Sequence, residues 1–185
     1  MSDDNTLVSR ILYGDRRAFQ QLVQRHERLV WHMVSRVVNR PQDHEDVCQE
    51  VFIRVYQKLP SFHFQSKLST WIATIAYRTA INYAKKEKKH AAEELDQVHA
   101  SLHESPDACE QLEKQTLRTY VHEQITTLPV HYRTVLTLFH LEEMSLAEIQ
   151  EVTSMPIGTV KNYLFRARKL LKERLQRYYA EEERL

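Results

Sequence analysis

The residues of this 185-residue chain with the most evident chemistry are side chains suited to nucleic acid. Between residues 156 and 177 stand 7 basic side chains and 1 acidic one. At about 100° per residue, a helix here places Val160, Leu164, Ala167 and Leu171 on one face. Lys161, Asn162, Phe165, Arg166 and Lys169 point away from it, with Arg168 at the margin. Arginine and asparagine can read base edges, phenylalanine can touch a thymine methyl, and lysine more often holds phosphate. A helical hairpin whose basic face is merely solvated would show the same pattern.

A second basic cluster covers residues 59–90, with 6 basic side chains and 1 acidic one. There Trp71 and Tyr83 alternate with Arg78 and Asn82, and Lys85, Lys86, Lys88 and Lys89 close the run. Rings on which bases stack, beside cations that follow phosphates, suit single-stranded nucleic acid. Core positions for Trp71 and Tyr83, with a solvated lysine tail, are the even alternative.

The carboxylates are arranged differently. Asp43, Glu45 and Asp46 lie in the first turn of a predicted helix, where its dipole favours negative charge. Asp46, Gln49, Glu50 and Ile53 form a strip along that helix. A metal site or an acid–base pair would need partners that the neighbourhood does not supply. By composition alone the strip is a solvated acidic face. His99 and His103 have the i, i+4 spacing of a metal pair, but no third ligand stands at motif spacing.

Other classes are excluded more simply. Gly14 and Gly158 are the only glycines, so neither a P-loop nor a dinucleotide fingerprint can be written. The two cysteines, Cys48 and Cys109, form no CxxC and no disulfide framework. The polar, acidic N-terminus is no signal peptide, and no apolar run approaches a membrane span. The sequence predicts a cytoplasmic chain with no cofactor, metal, catalytic residue or membrane insertion. Net charge is only +1, yet residues 91–128 carry 8 acidic and 2 basic side chains between the two basic clusters.

The elements that must position these residues read as helices throughout. Few glycines and five prolines leave little turn chemistry for sheets, so the fold class is all-α. A short helix over residues 6–12 stops at Gly14. Asp15 caps the next, which runs from residue 16 to about 39 and ends before Pro41, with Trp31 expected in its core face. In the helix opened by Asp43, Val47, Val51, Val55 and Leu59 recur at i+4, widened by Phe52 and Tyr56. A loop with two aromatics precedes a helix over residues 70–89. Residues 91–110 read as a flexible acidic linker. Helices over 111–127 and 130–141 follow. Ser145 then caps a short helix, with Glu148 at the capping-box position and Leu146, Ile149 and Val152 on its buried side. A break at residues 155–158 leads into the basic helix, as in a helix-turn-helix whose second helix enters the major groove.

In order along the chain, these stretches resemble bacterial sigma factors of the extracytoplasmic-function (ECF) group. GDRRAFQQLVQRH is similar to the family's first helix pair, and DHEDVCQEVFIRVYQKLPSF to its second region. STWIATIAYRTAINYAKK is similar to its promoter-melting helix. The stretch from LPVHYRTVLTLFHL through SLAEIQEVTSMPIGTVKNYLFRARKLLKERL is similar to its C-terminal promoter-binding region. Local departures are Gln150 where a small residue is usual, Ser154 before Met155-Pro156 where Leu-Gly is common, and Asn162 for a frequent serine.

The resemblance implies two small helical domains, residues 1–90 and 111–185, joined by the linker at 91–110. It implies that Asp43, Asp46, Gln49, Glu50 and Ile53 grip the β′ clamp helices of core RNA polymerase, with the β flap as a further contact. Phe64, Lys67, Leu68, Ser69, Thr70 and Trp71 would lie in or beside a pocket for an unpaired base of the −10 element. Arg78, Asn82 and Lys85 would follow the non-template strand. Thr159, Lys161, Asn162, Phe165, Arg166 and Lys169 would read the −35 duplex. An anti-sigma factor is a further partner it makes plausible. The alternative is a stand-alone helix-turn-helix regulator with an N-terminal helical sensor domain.

Overall fold

The computed structural model describes residues 3–95 and 117–182, and these contain eight α-helices and no strand. In chain order they are α1 (Asp3–Leu12), α2 (Arg16–Val37), α3 (His44–Lys58), α4 (Leu68–Leu95), α5 (Leu117–Thr126), α6 (Val130–His140), α7 (Leu146–Thr153) and α8 (Ile157–Glu182). Of the expected linker, residues 91–95 prolong α4. Residues 96–110, with His99, His103 and Cys109, lie outside the described residues.

The chain's punctuation explains the first helices. Gly14 turns between α1 and α2 at φ 89°, where a side chain would be strained. The Asp15 carboxylate accepts the amides of Arg17 (2.9 Å) and Ala18 (3.1 Å), capping α2. Arg10 donates to the same carboxylate at 2.7 Å, which, ahead of the amide bonds, holds its pKa below the usual value. Pro41 opens a 3-10 turn, Pro41–Asp43, that leads into α3.

The first core is built by Leu22, Val30, Met33 and Val34 of α2, Val47, Val51 and Val55 of α3, and Ile72, Ala76 and Ala80 of α4. The i+4 valines of α3 are all inward, as their spacing predicts. The second core joins Val135 and Leu138 of α6, Ile149 and Val152 of α7, and Val160, Leu164 and Ala167 of α8. Each large aliphatic side chain so buried contributes about 1.5–3 kcal/mol.

Three expectations need correction. Trp31 is not in the core: it is 48% exposed, with its ring edge-on to His44 at 5.5 Å. Val30, Met33, Val34 and Val37 take the inward face, and one residue's step of about 100° carries Trp31 off it. The break before the basic helix falls at residues 154–156, not 155–158. Ser154, at φ 59° and ψ 21°, makes the left-handed turn that ends α7, while Gly158 already lies inside α8. The helix expected over residues 70–89 is longer at both ends.

The two groups of helices also touch. α7 packs along α4, and α6 packs against α2.

Candidate functional site

The capping box that starts α7 is present in both directions: Ser145 Oγ accepts the Glu148 amide, and the Glu148 carboxylate accepts the Ser145 amide at 2.8 Å. With Ile149 and Val152 buried, this fixes how α8 leaves the turn. Because Val160, Leu164 and Ala167 face the core, Lys161, Asn162, Arg166 and Lys169 are exposed, Phe165 is 69% exposed and Thr159 is half-buried. Arg168 is committed elsewhere. Its guanidinium lies 5.0 Å over the Phe139 ring, and its Nε donates to His140 Nε2 at 3.2 Å. Burial, and then that cation, push the His140 pKa down.

The segment before α4 carries an aromatic cluster. Phe62 is buried and touches Phe64 (4.7 Å between centroids) and Trp71 (5.1 Å). Phe64 is exposed and sits at φ 56°, a conformation that non-glycine residues seldom adopt. Trp71 is half-buried, so one part of its ring is core and another is accessible. Arg78, Asn82 and Lys85 are exposed on a single stripe of α4. Leu68 and Thr70 are fully buried, Ser69 is half-buried, and Lys67 Nζ lies 3.0 Å from a Glu148 oxygen. Tyr83 is half-buried, and its hydroxyl pKa is raised by burial and by its hydrogen bond to Asp43.

On α3, Asp46, Gln49 and Ile53 are exposed together, and Glu50 beside them accepts from Arg54 Nε at 2.6 Å. Asp43 is set apart, in the preceding turn and bonded to Tyr83. Next to Ile53 opens a groove of about 720 Å³, lined by Phe19, Val23, Phe52 and Tyr56 among others. Tyr13, next in the chain to the lining residue Gly14, is 93% exposed. No periodicity marks Tyr13, because it stands in the turn between α1 and α2. Cys48, on the same helix, is inert: burial, then Glu45, pushes its thiol up to about 11. The described residues include no group of three or more metal-ligating side chains, and none of their helices is long and apolar enough to cross a membrane.

Three elements thus carry three chemically distinct exposed surfaces: an acidic strip with a central isoleucine, an aromatic-basic stripe, and a helix-turn-helix whose second helix is basic. The sigma-70 region 2 family model matches residues 22–90, and the sigma-70 region 4 model matches residues 118–171. An ECF RNA polymerase sigma-E factor of Haemophilus influenzae is 33% identical, over 94% of this chain and 95% of that protein. Its namesake in Escherichia coli is 35% identical, over 94% of each. Among solved structures, the Bartonella quintana sigma factor RpoE, in complex with the anti-sigma factor NepR, covers 85% of this chain and 96% of its own. It has a TM-score of 0.66 at 21% identity, a likeness of fold. The chain belongs to the ECF group of bacterial RNA polymerase sigma factors. It serves promoter-specific transcription initiation, and the stand-alone regulator is not favoured, because both halves match sigma regions in order.

Proposed function

We propose that the three surfaces divide the work of initiation. Residues 1–90 form the unit for polymerase and the −10 element, residues 111–185 the unit for the −35 element, and residues 91–110 the connection. Asp46, Gln49, Glu50 and Ile53 of α3 engage the β′ clamp helices, with Asp43 shaping the start of that helix through Tyr83. The Phe62–Phe64–Trp71 cluster, with Lys67, Leu68, Ser69 and Thr70, forms the wall for an unpaired −10 base. Arg78, Asn82 and Lys85 follow the strand. Thr159, Lys161, Asn162, Phe165, Arg166 and Lys169 meet the −35 duplex, and the same unit contacts the β flap.

The observation that carries this reading is the alignment of donors on α8, outward on a helix whose Val160, Leu164 and Ala167 are buried on the other face, with Leu171 half-buried beyond them. No covalent step is needed. Stacking of unpaired bases, about 1–3 kcal/mol each, supplies the energy for melting. The protein works in the cytoplasm with core polymerase, and an anti-sigma factor is a natural regulator, as the Bartonella quintana complex illustrates for that sigma factor. Reconstituted transcription with core polymerase on a promoter library tests the proposal. Sequence-selective start sites that require this chain are expected; no stimulation on any template would refute it.

A further inference from the structure

A single acidic side chain, Glu87, stands in the basic run of residues 59–90, and it is already engaged. Arg40, from the turn between α2 and α3, places its Nε 2.8 Å from a Glu87 oxygen. One turn earlier on α4, the Tyr83 hydroxyl bonds to Asp43 of the same turn. We infer that Arg40 is a further DNA-binding residue, held against α4 by Glu87 so that its guanidinium takes a backbone phosphate of the strand that passes Arg78 and Asn82, where that strand leaves along Lys86. The inference rests on the strand assignment of α4 made above.

Helical phase sets the path. Arg78, Asn82 and Lys86 form an i+4 row on α4, and at about 100° per residue each step of that row turns it by about 40°. The turn carries the row from the exposed stripe toward the side on which Tyr83 and Glu87 lie. All three side chains of the row are exposed. Ala80 is the last buried residue of α4 through Lys89, so beyond it the core thins on that side. The turn that holds Arg40 and Asp43 covers it instead. Tyr83 and Glu87, four residues apart, are two places where that turn is fastened. Arg40 is therefore the cation that a strand meets next after Lys86.

The chemistry suits a phosphate. A guanidinium carries five N–H donors in a fixed fork, and the pair with Glu87 engages Nε. Nη1 and Nη2 have no acceptor among the described residues. The Arg40 side chain is 61% exposed and that of Glu87 23%, so the carboxylate is the inner partner and the guanidinium the outer one. An exposed pair of this kind adds little to stability. Its value lies in orientation: a guanidinium already held in place loses less freedom when it binds. Unpaired, Glu87 would repel a strand. Paired, its charge is cancelled and it aims the arginine.

The size of the effect follows from counterion release. One phosphate contact on a single strand contributes about 0.7 to the slope of log affinity against log salt. Its loss therefore weakens binding about fivefold at roughly 0.1 M salt, and less as salt rises.

The test uses the full chain bound to core polymerase, on a promoter selected from a random library and held open over the −10 element by mismatches. Phosphates of the non-template strand are replaced one at a time by neutral methylphosphonate, and affinities are measured for wild type, Arg40→Gln, Glu87→Ala and Arg78→Gln. Arg40→Gln should bind the unmodified promoter about fivefold more weakly at roughly 0.1 M salt. It should also become insensitive to neutralisation at one linkage, displaced from the linkage that Arg78→Gln silences. Glu87→Ala should blunt the same linkage as Arg40→Gln. If Arg40→Gln leaves the pattern of sensitivity as in wild type, the pair serves only the fold and the inference is overturned. Weaker capture of polymerase by Arg40→Gln in the absence of DNA would move Arg40 to the polymerase side and overturn it too. Wild type insensitive at every linkage, with Arg78→Gln silent, would count instead against the strand assignment of α4, and Arg40 would fall with it.

Discussion

Arg166→Ala tests the proposed −35 contact. Arg166 is exposed on the side of α8 opposite Leu164 and Ala167, which are buried. Replacing an exposed helical arginine by alanine, the best helix former, changes stability by no more than about 0.5 kcal/mol. The loss therefore reads on DNA and not on folding. If the guanidinium makes a paired contact to a guanine, its removal costs about 1–3 kcal/mol of discrimination, or roughly 5- to 150-fold. The assay begins with duplexes selected from a random library by the wild-type chain bound to polymerase. Fluorescence anisotropy then measures the affinity of variant and wild type across a salt series. The expected outcome is a sequence-dependent loss in that range, relaxed preference at one base position, and unchanged capture by polymerase. A loss equal for every duplex, with the log–log salt slope reduced by about 0.9, would show a phosphate contact and refute base readout. No loss at all would remove Arg166 from the interface.

Other perturbations address the remaining surfaces. Asp46→Arg combined with Glu50→Arg should lower capture by core polymerase at least tenfold with helicity unchanged in circular dichroism; undiminished capture would remove the α3 strip from that role. Ser145→Ala removes the hydroxyl of the α7 cap and should lower unfolding free energy by about 1 kcal/mol, within a range of 0.5–2, measured as a shift of the urea midpoint at constant slope. The Glu148 carboxyl is held at about 2 against its usual 4.5, first by the Ser145 amide, then by the Ser145 hydroxyl, with Lys67 adding to the effect. Its folded pKa lies below the unfolded one, so its stabilisation is complete above the ordinary carboxylate range and fades as pH falls from there through about 2. Glu148→Gln should therefore flatten the stability profile between pH 5 and 2, and a profile identical to wild type would contradict the cap geometry.

What the sequence shows is what local spacing can encode. The i+4 valines of α3, the Val160–Leu164–Ala167 face of α8 and the Ser145–Glu148 capping box each lie within a few turns, and each is where its spacing places it. The division into three working surfaces came from the order of family-like segments, since spacing alone left the acidic strip and the Trp71 helix open to plainer readings. Trp31 misleads because size and apolarity suggest burial, while the phase of its own helix turns it outward. Ser154 shows a different failure: a nearby glycine draws attention to itself, yet a serine adopts the left-handed turn. The contact between the two units is invisible for a physical reason. Thr70 and Glu148 are 78 residues apart, and His32 and Glu142 are 110 apart, so no periodicity connects them. A glutamate at the third position of a helix is accounted for by its cap, and nothing in the sequence shows that its second oxygen is engaged elsewhere.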